Sequence, residues 1–345
     1  MKHHTSTEAG PSTDDRSPTG VRARILLDCD PGIDDAMALA LVLGTPSAEL
    51  VGVTTVAGNV PLSRTTANAL RLTEFFGSPE TPVVAGSALP LTRPSVFAEH
   101  VHGSDGLGGA PVPEHTRSLT PGFGPDFIIE QLAAAPGEIT LIAIGPMTNV
   151  ALAVRKEPRI VEWAREFVIM GGSYTRGNIT PAAEFNFFAD PEAAAVVFGA
   201  GWSPVLIGLD LTLQARIDRD VLDRWRAYGP LSDNLLIPSI ANYFDNGLGE
   251  QHLGPAVHDA CAVAYCLRPD LFRTRRARTN IETAGAYTSG MSVVDFGVAA
   301  KDDPDATTGR TANSLVATEL DTDAFWDVMS DAFAQVTATM TEHRL

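Results

Sequence analysis

Ile25-Leu26-Leu27-Asp28-Cys29-Asp30-Pro31-Gly32-Ile33-Asp34-Asp35-Ala36 joins a short apolar run to a tight Pro-Gly turn and then to an apolar run of helical character. Its four carboxylates fall within eight residues. Like charges so close repel one another, and a fold tolerates them where solvent separates them or a cation sits among them. The stretch therefore predicts a βα turn with a metal-associated acidic site at its mouth, and oxygen-only donors suit a hard cation.

Working outward, short apolar runs alternate with helical patterns along most of the chain. Strands are expected at Arg24–Leu27, Leu50–Thr55, Pro82–Val84, Ile139–Ile144, Glu166–Met170 and Pro204–Gly208. Helices are expected at Asp35–Leu43, Leu62–Phe76, Pro125–Ala134, Met147–Lys156, Pro191–Gly199, Arg219–Ala227 and His258–Leu267. Several of the strands lack polar alternation, as befits strands covered on both faces. The pattern predicts an α/β fold: an open, mostly parallel β-sheet flanked by helices, with ligands at the carboxyl ends of the strands. Late in the chain, Gly285–Asp295 and Asn313–Ala317 read as strands and Asp323–Met340 as a closing helix. The Pro- and Gly-rich stretch Gly86–Phe123 and the stretch Gly171–Asn186 read as loops that build a site.

Composition narrows the partners. The chain has 345 residues, of which 44% are apolar, enough for one substantial core. Residues 1–20 are polar and lack the apolar segment of a signal peptide, so they read as a disordered leader before a single domain over 21–345. A net charge of −17 argues against nucleic acid and against an anionic membrane surface. Three cysteines in no CxxC pair predict a reducing, cytoplasmic setting.

Other segments supply partners for the acidic turn. Asn59 follows a strand in Val-Ala-Gly-Asn, where a plain turn residue is the simpler reading. Asn178, Glu184, Phe185 and Asn186 share one loop, whose amides and carboxylate suit a polyhydroxylated ligand or local caps. His258-Asp259 opens a helix, either as a cap or as a ligand-facing histidine beside a metal carboxylate. His102 lies on a Gly-rich loop and reads as an exposed histidine or as a site residue.

Together these pieces resemble the nucleoside hydrolase family, the inosine–uridine-preferring type in particular. The resemblance is carried by DCDPGIDDAMAL, VAGN, HGSDGLGG, IGPMTN, GGSYTRGN, PAAEFNFFADPEAA, HD and GMSVVD, in that order along nearly the whole chain from Arg24. It implies a Rossmann-like nucleoside hydrolase core and a bound Ca²⁺ held by Asp30, Asp35, Asp259 and the backbone carbonyl of Ile144. It further implies that Asp34, Asn59, Asn178, Glu184 and Asn186 hold the ribose, with Phe185 beside them and Met170 beneath the sugar. Asp30 would take the proton of the attacking water, and His258 or His102 would assist the leaving base. The implied substrate is a small ribonucleoside, and the implied assembly a homodimer or homotetramer. Ala260 departs from the pattern, since a Pro often follows His-Asp, and in the stretch Leu231–Gly254, expected to form part of the lid, the aromatics Tyr243 and Phe244 do not align with the family's base-contacting residues.

Two alternatives stand beside this. A phosphatase would use Asp28 as nucleophile and Asp30 as acid, but it wants a lysine near the phosphate, and the lysines here are Lys2, Lys156 and Lys301. A non-catalytic Ca²⁺-dependent nucleoside or ribose binder would need the same sugar contacts without a base or a leaving-group donor.

Overall fold

The computed structural model describes residues 22–245, 254–297 and 311–342. The expected leader, Lys301 and part of the expected lid lie outside the described residues. Among the described residues, nine strands form one sheet: β1 Ala23–Cys29, β2 Ala48–Thr55, β3 Val83–Ala85, β4 Ile139–Ala143, β5 Glu166–Met170, β6 Val205–Ile207, β7 Phe272–Ile281, β8 Ser292–Asp295 and β9 Ser314–Leu320. Their order is β3-β2-β1-β4-β5-β6-β9-β7-β8. Pairing is parallel from β3 through to β9, and β7 runs antiparallel to both β9 and β8.

Both faces of the parallel part are buried, which explains the missing polar alternation. Along β1, Ile25, Leu27 and Cys29 face one apolar cluster and Leu26 the other. Along β5, Val168 and Met170 alternate in the same way with Phe167 and Ile169. Among the described residues no helix is long and apolar enough to cross a membrane.

The strand order reverses between β1 and β4. At such a point the connections leave to opposite sides and open a crevice beyond the strand ends. The carboxyl end of β1 carries Asp28 and Asp30, β4 is followed by Ile144, and β5 ends at Met170. The helix Ile33–Leu43 after β1 packs against the helix Asp259–Leu267. Both are rich in alanine: Ala36, Ala38 and Ala40 on one, Ala260, Ala262 and Ala264 on the other, all fully buried. Small side chains let the two helices approach closely, and Asp259 is brought beside Asp35.

Two expectations need correction. Gly285–Asp295 is a strand only over Ser292–Asp295; the preceding residues form a turn in which Gly290 has φ +84°, a left-handed conformation that a side chain would strain. The ten-residue strand β7, FRTRRARTNI, was not foreseen at all. Its arginines make it look like a surface loop, yet its buried positions are Phe272, Ala277 and Thr279. The register slips between Arg273 and Thr274, so the period of two that marks a strand is broken.

Candidate active site

The turn after β1 is tied by its own aspartates. Asp35 accepts the backbone N–H of Asp30 at 3.1 Å and that of Gly32 at 2.9 Å, one carboxylate oxygen for each. Asn59, beyond β2, donates its backbone N–H to Asp30 Oδ2 at 2.7 Å. Its side-chain amide donates to the Asp30 carbonyl and to Asp35 Oδ2, both at 3.1 Å. Asn59 is thus more than a turn residue: it links both acidic residues. The other oxygen of Asp30, Oδ1, is buried and has no hydrogen-bond partner among the described residues. A Cβ on Gly58 would lie 2.1 Å from Asp30 Oδ2, and one on Gly145 2.6 Å from Oδ1, so glycine at both positions makes room for this carboxylate.

Asp28 is fully buried. Its Oδ1 accepts from Thr54 Oγ1 at 2.5 Å and from Asn149 Nδ2 at 2.7 Å, joining β1 to β2 and to the helix after β4. Burial pushes its carboxyl up to about 7, against the pull of those two hydrogen bonds. Asp28 lies outside the cavity lining and spends one oxygen on Thr54 and Asn149, which counts against its use as a phosphatase nucleophile.

Asp34, Asp35 and Asp259 form the centre of the cluster. Their nearest carboxylate oxygens all lie within 4.8 Å of one another, and all three residues are buried. At an effective dielectric of about 20, each ionised pair at that range repels by about 3 kcal/mol or more. Three such pairs approach the whole stability of a typical domain, roughly 5–15 kcal/mol. The group must therefore be partly protonated or neutralised by a cation. Burial first, and then Asp34, pushes Asp35 up to about 7. Burial and then Asp35 raise Asp30, and burial followed by Asp34, Asp35 and Asp30 raises Asp259. Acidic oxygens without countercharge, a buried orphan among them, are the donor set a hard divalent cation fits.

Above the cluster lies a cavity of about 410 Å³. Asp34, Asn59, His102, Ile144, Met170, Asn178, Glu184, Phe185, Asn186, His258 and Asp259 line it, so one opening gathers residues spread over most of the chain. Asp30 and Asp35 do not line it; they sit beneath its floor.

Several of the wall residues are also structural. Glu184 caps the short helix Phe185–Ala189. Its Oε1 accepts from the N–H of Asn186 at 2.9 Å, and its Oε2 from those of Gly172 at 2.8 Å and Phe187 at 3.3 Å. Burial still carries its carboxyl up to about 7. Asn178 Oδ1 accepts from the Phe185 N–H at 2.9 Å. The Asn186 amide donates to the carbonyls of Ile144 at 2.9 Å and Met170 at 3.1 Å, bridging the ends of β4 and β5. The residues that cap this loop thus also line the cavity.

The two histidines are held differently. His102 ends a single helical turn, Glu99–His102, and is buried. Its Nδ1 accepts the N–H of Ile33 at 3.1 Å, which assigns the ring proton to Nε2. Burial lowers its pKa to about 4. Gly32 allows this contact, since a Cβ there would lie 2.6 Å from His102 Nδ1. His258 is the N-cap residue of the helix Asp259–Leu267, and its Nδ1 lies 2.7 Å from Thr212 Oγ1. Burial lowers its pKa too, with Asp34 opposing that shift and Arg216 reinforcing it.

Sequence reasoning did not single out Arg176, Arg216 or Thr212. Arg176 lies within the quoted GGSYTRGN stretch, and both arginines line the cavity. Arg216 and Thr212 stand in no motif, so only the fold places them. Tyr243 was noted without a role. It faces the cavity, hydrogen-bonds Asp34, and meets His102 edge-on at 6.2 Å between ring centres, whereas the adjacent Phe244 is exposed.

Comparison with known proteins bears on this site. Residues 25–327 match the family model described as inosine-uridine preferring nucleoside hydrolase. The chain is 41% identical over 315 residues to an inosine-uridine preferring nucleoside hydrolase of Leishmania major, covering 91% of this chain and 98% of that one. It is 42% identical over 314 residues to the non-specific ribonucleoside hydrolase RihC of Salmonella typhi, covering 90% and 98%. Among solved structures, a purine-preferring ribonucleoside hydrolase from Gardnerella vaginalis superposes with a TM-score of 0.82 at 29% identity, covering 91% of this chain and 99% of that one.

Proposed function

The chain belongs to the inosine-uridine preferring nucleoside hydrolase family, and on that premise we propose that it hydrolyses the N-glycosidic bond of ribonucleosides in a Ca²⁺-dependent reaction. The observation that carries this reading is the stacking of a cavity lined by Asn59, Asn178, Glu184 and Asn186 directly over buried, mutually repelling carboxylates at the β1/β4 switch point.

Asp30, Asp35, Asp259 and the Ile144 carbonyl are the residues we assign to the ion, with Asp34 close enough to share in its field. When bound, Ca²⁺ supplies the positive charge that relieves the carboxylates and makes a neighbouring water more acidic. Asp30 is our candidate base, because its Oδ1 is a carboxylate oxygen without a hydrogen-bond partner among the described residues and lies beside the acidic cluster. It takes a proton from a water as that water adds to C1′ of the ribose, and the electron pair of the C1′–N bond leaves with the base. Positive charge builds on the sugar as that bond lengthens, and the carboxylates and amide oxygens around the cavity stabilise it. Asp34, Asn59, Asn178, Glu184 and Asn186 orient the ribose, and their loss of partners would disfavour deoxynucleosides.

His258 is our first candidate to assist the leaving base. His102, whose Nδ1 accepts from Ile33 and whose Nε2–H is left to donate, is the second candidate. The relatives act, by their names, on inosine and uridine, on ribonucleosides non-specifically, and preferentially on purines. We accordingly propose a substrate range that spans purine and pyrimidine ribosides. The two apolar clusters share one sheet, which supports a single catalytic domain over 21–345.

Incubation with inosine, uridine, cytidine and adenosine, reading free base and reducing sugar, tests this. Equal release of both products supports the hydrolase. Saturable binding without release would instead indicate a nucleoside-binding protein and overturn the proposal.

A further inference from the structure

Thr212 is fully buried at the end of the short helical turn Leu209–Thr212 that follows β6. A helical threonine usually turns its hydroxyl back to the carbonyl four residues earlier. Thr73, Thr337 and Thr341 do so here, at 2.7, 2.8 and 2.9 Å. Thr212 does not. Among the described residues its hydroxyl has one partner, His258 Nδ1 at 2.7 Å. The proton of that hydroxyl therefore has a single acceptor to go to. Were Nδ1 the protonated nitrogen, the hydroxyl proton would be left unpaired in the interior.

The backbone on both sides is fixed. The Val257 N–H donates to the Ala215 carbonyl and the Ile217 N–H to the Pro255 carbonyl, each at 2.9 Å, and Arg216 and Ala256 form an antiparallel bridge. The turn carrying Thr212 and the segment carrying His258 are thus clasped together, and the ring has little freedom to choose another partner.

We propose that Thr212 is a positioning residue for His258: its hydroxyl donates to Nδ1, holds the ring proton on Nε2, and so presents an N–H to the departing base. This rests on the reading of His258 as the group that assists the leaving base. The contribution is a hydrogen bond that strengthens as the electron pair of the C1′–N bond moves onto the base. A base that departs readily as an anion needs no such donor.

The test compares inosine with 4-nitrophenyl β-D-riboside, whose phenolate leaves unaided, in Thr212→Val, Thr212→Ser and His258→Ala. Thr212→Val is expected to lower kcat on inosine by about 10- to 100-fold with KM within about twofold, while the rate on the aryl riboside changes by about twofold or less. Thr212→Ser restores inosine turnover. His258→Ala shows the same direction of split, with the larger loss on inosine. Equal losses on both substrates in Thr212→Val, or an unchanged kcat on inosine, would overturn the role of Thr212 while a split in His258→Ala left that histidine's role standing. No split in His258→Ala would overturn both. Nitrogen-15 NMR of the wild-type imidazoles gives a reading independent of any variant's folding: His258 protonated on Nε2 is expected, and protonation on Nδ1 would refute the proposal.

Discussion

Protonating His102 would set an imidazolium N–H against the Ile33 N–H that now points at Nδ1. Its folded pKa of about 4 lies below the ordinary 6.5, so the unfolded chain takes up the proton first as pH falls. The stability due to the neutral ring is complete above pH 6.5 and is lost as pH drops through about 4. The difference is worth about 3 kcal/mol. Urea unfolding from pH 7 to 4 should show His102→Gln losing less stability than the parent; parallel curves would contradict the assignment. Asp30 gives a second residue-scale prediction. Asp30→Asn should lower kcat by at least about 100-fold, since a general base contributes that much or more. The variant should remain folded, because an amide removes a charge from a repelling cluster. Near-normal kcat would remove Asp30 as the base. Asp30, Asp34 and Asp35 could be read from the sequence because four acids in eight residues demand an explanation. Thr212 could not, because nothing local to a threonine after a short strand points to a histidine 46 positions away.

At the scale of elements, the short helix Phe185–Ala189 hangs on one residue. Glu184 receives backbone N–H groups from Gly172, Asn186 and Phe187, joining the end of β5 to the helix that carries Asn186. Glu184→Ala should lower stability by about 1–2 kcal/mol through the lost cap alone. It should also raise KM for a ribonucleoside, which thermal melts and steady-state kinetics would check together. A variant with unchanged melting temperature would show that the cap is dispensable. The parallel strands and the helices between them were legible, because continuous apolar runs and helical periodicity are local signals. β7 was not, for a reason that is again physical. Arg273 pairs with Glu319 across the sheet at 3.3 Å, and Arg275 lies 4.1 Å over the Phe296 ring. These arginines are accommodated by Glu319 of β9 and by Phe296 just beyond β8, and no composition rule applied to residues 272–281 alone can see those neighbours.

Across the whole molecule, the proposed metal would be coupled to stability through the acidic cluster. Any ligand that binds only the folded state stabilises it, by about 2.7 kcal/mol at a concentration a hundred times its dissociation constant. Exhaustive chelation should therefore lower both the melting temperature and the turnover of ribonucleosides, and Ca²⁺ should restore both. Full activity after chelation would contradict a metal role. The strength of the effect follows from assembly: Asp34 and Asp35 come from the turn after β1, while Asp259 arrives more than two hundred residues later on a helix packed against theirs. The sequence by itself determined the α/β alternation, the acidic βα turn and the family of motifs, because each is written in neighbouring residues whose spacing and charge act locally. Only the tertiary structure decided that Asp30 lies beneath the cavity and not on its wall, that His102 is neutral and His258 is held by Thr212, and that Arg176, Arg216 and Tyr243 complete the opening. Those properties depend on burial and on contacts between distant segments, and both come into being when the sheet brings its strand ends together.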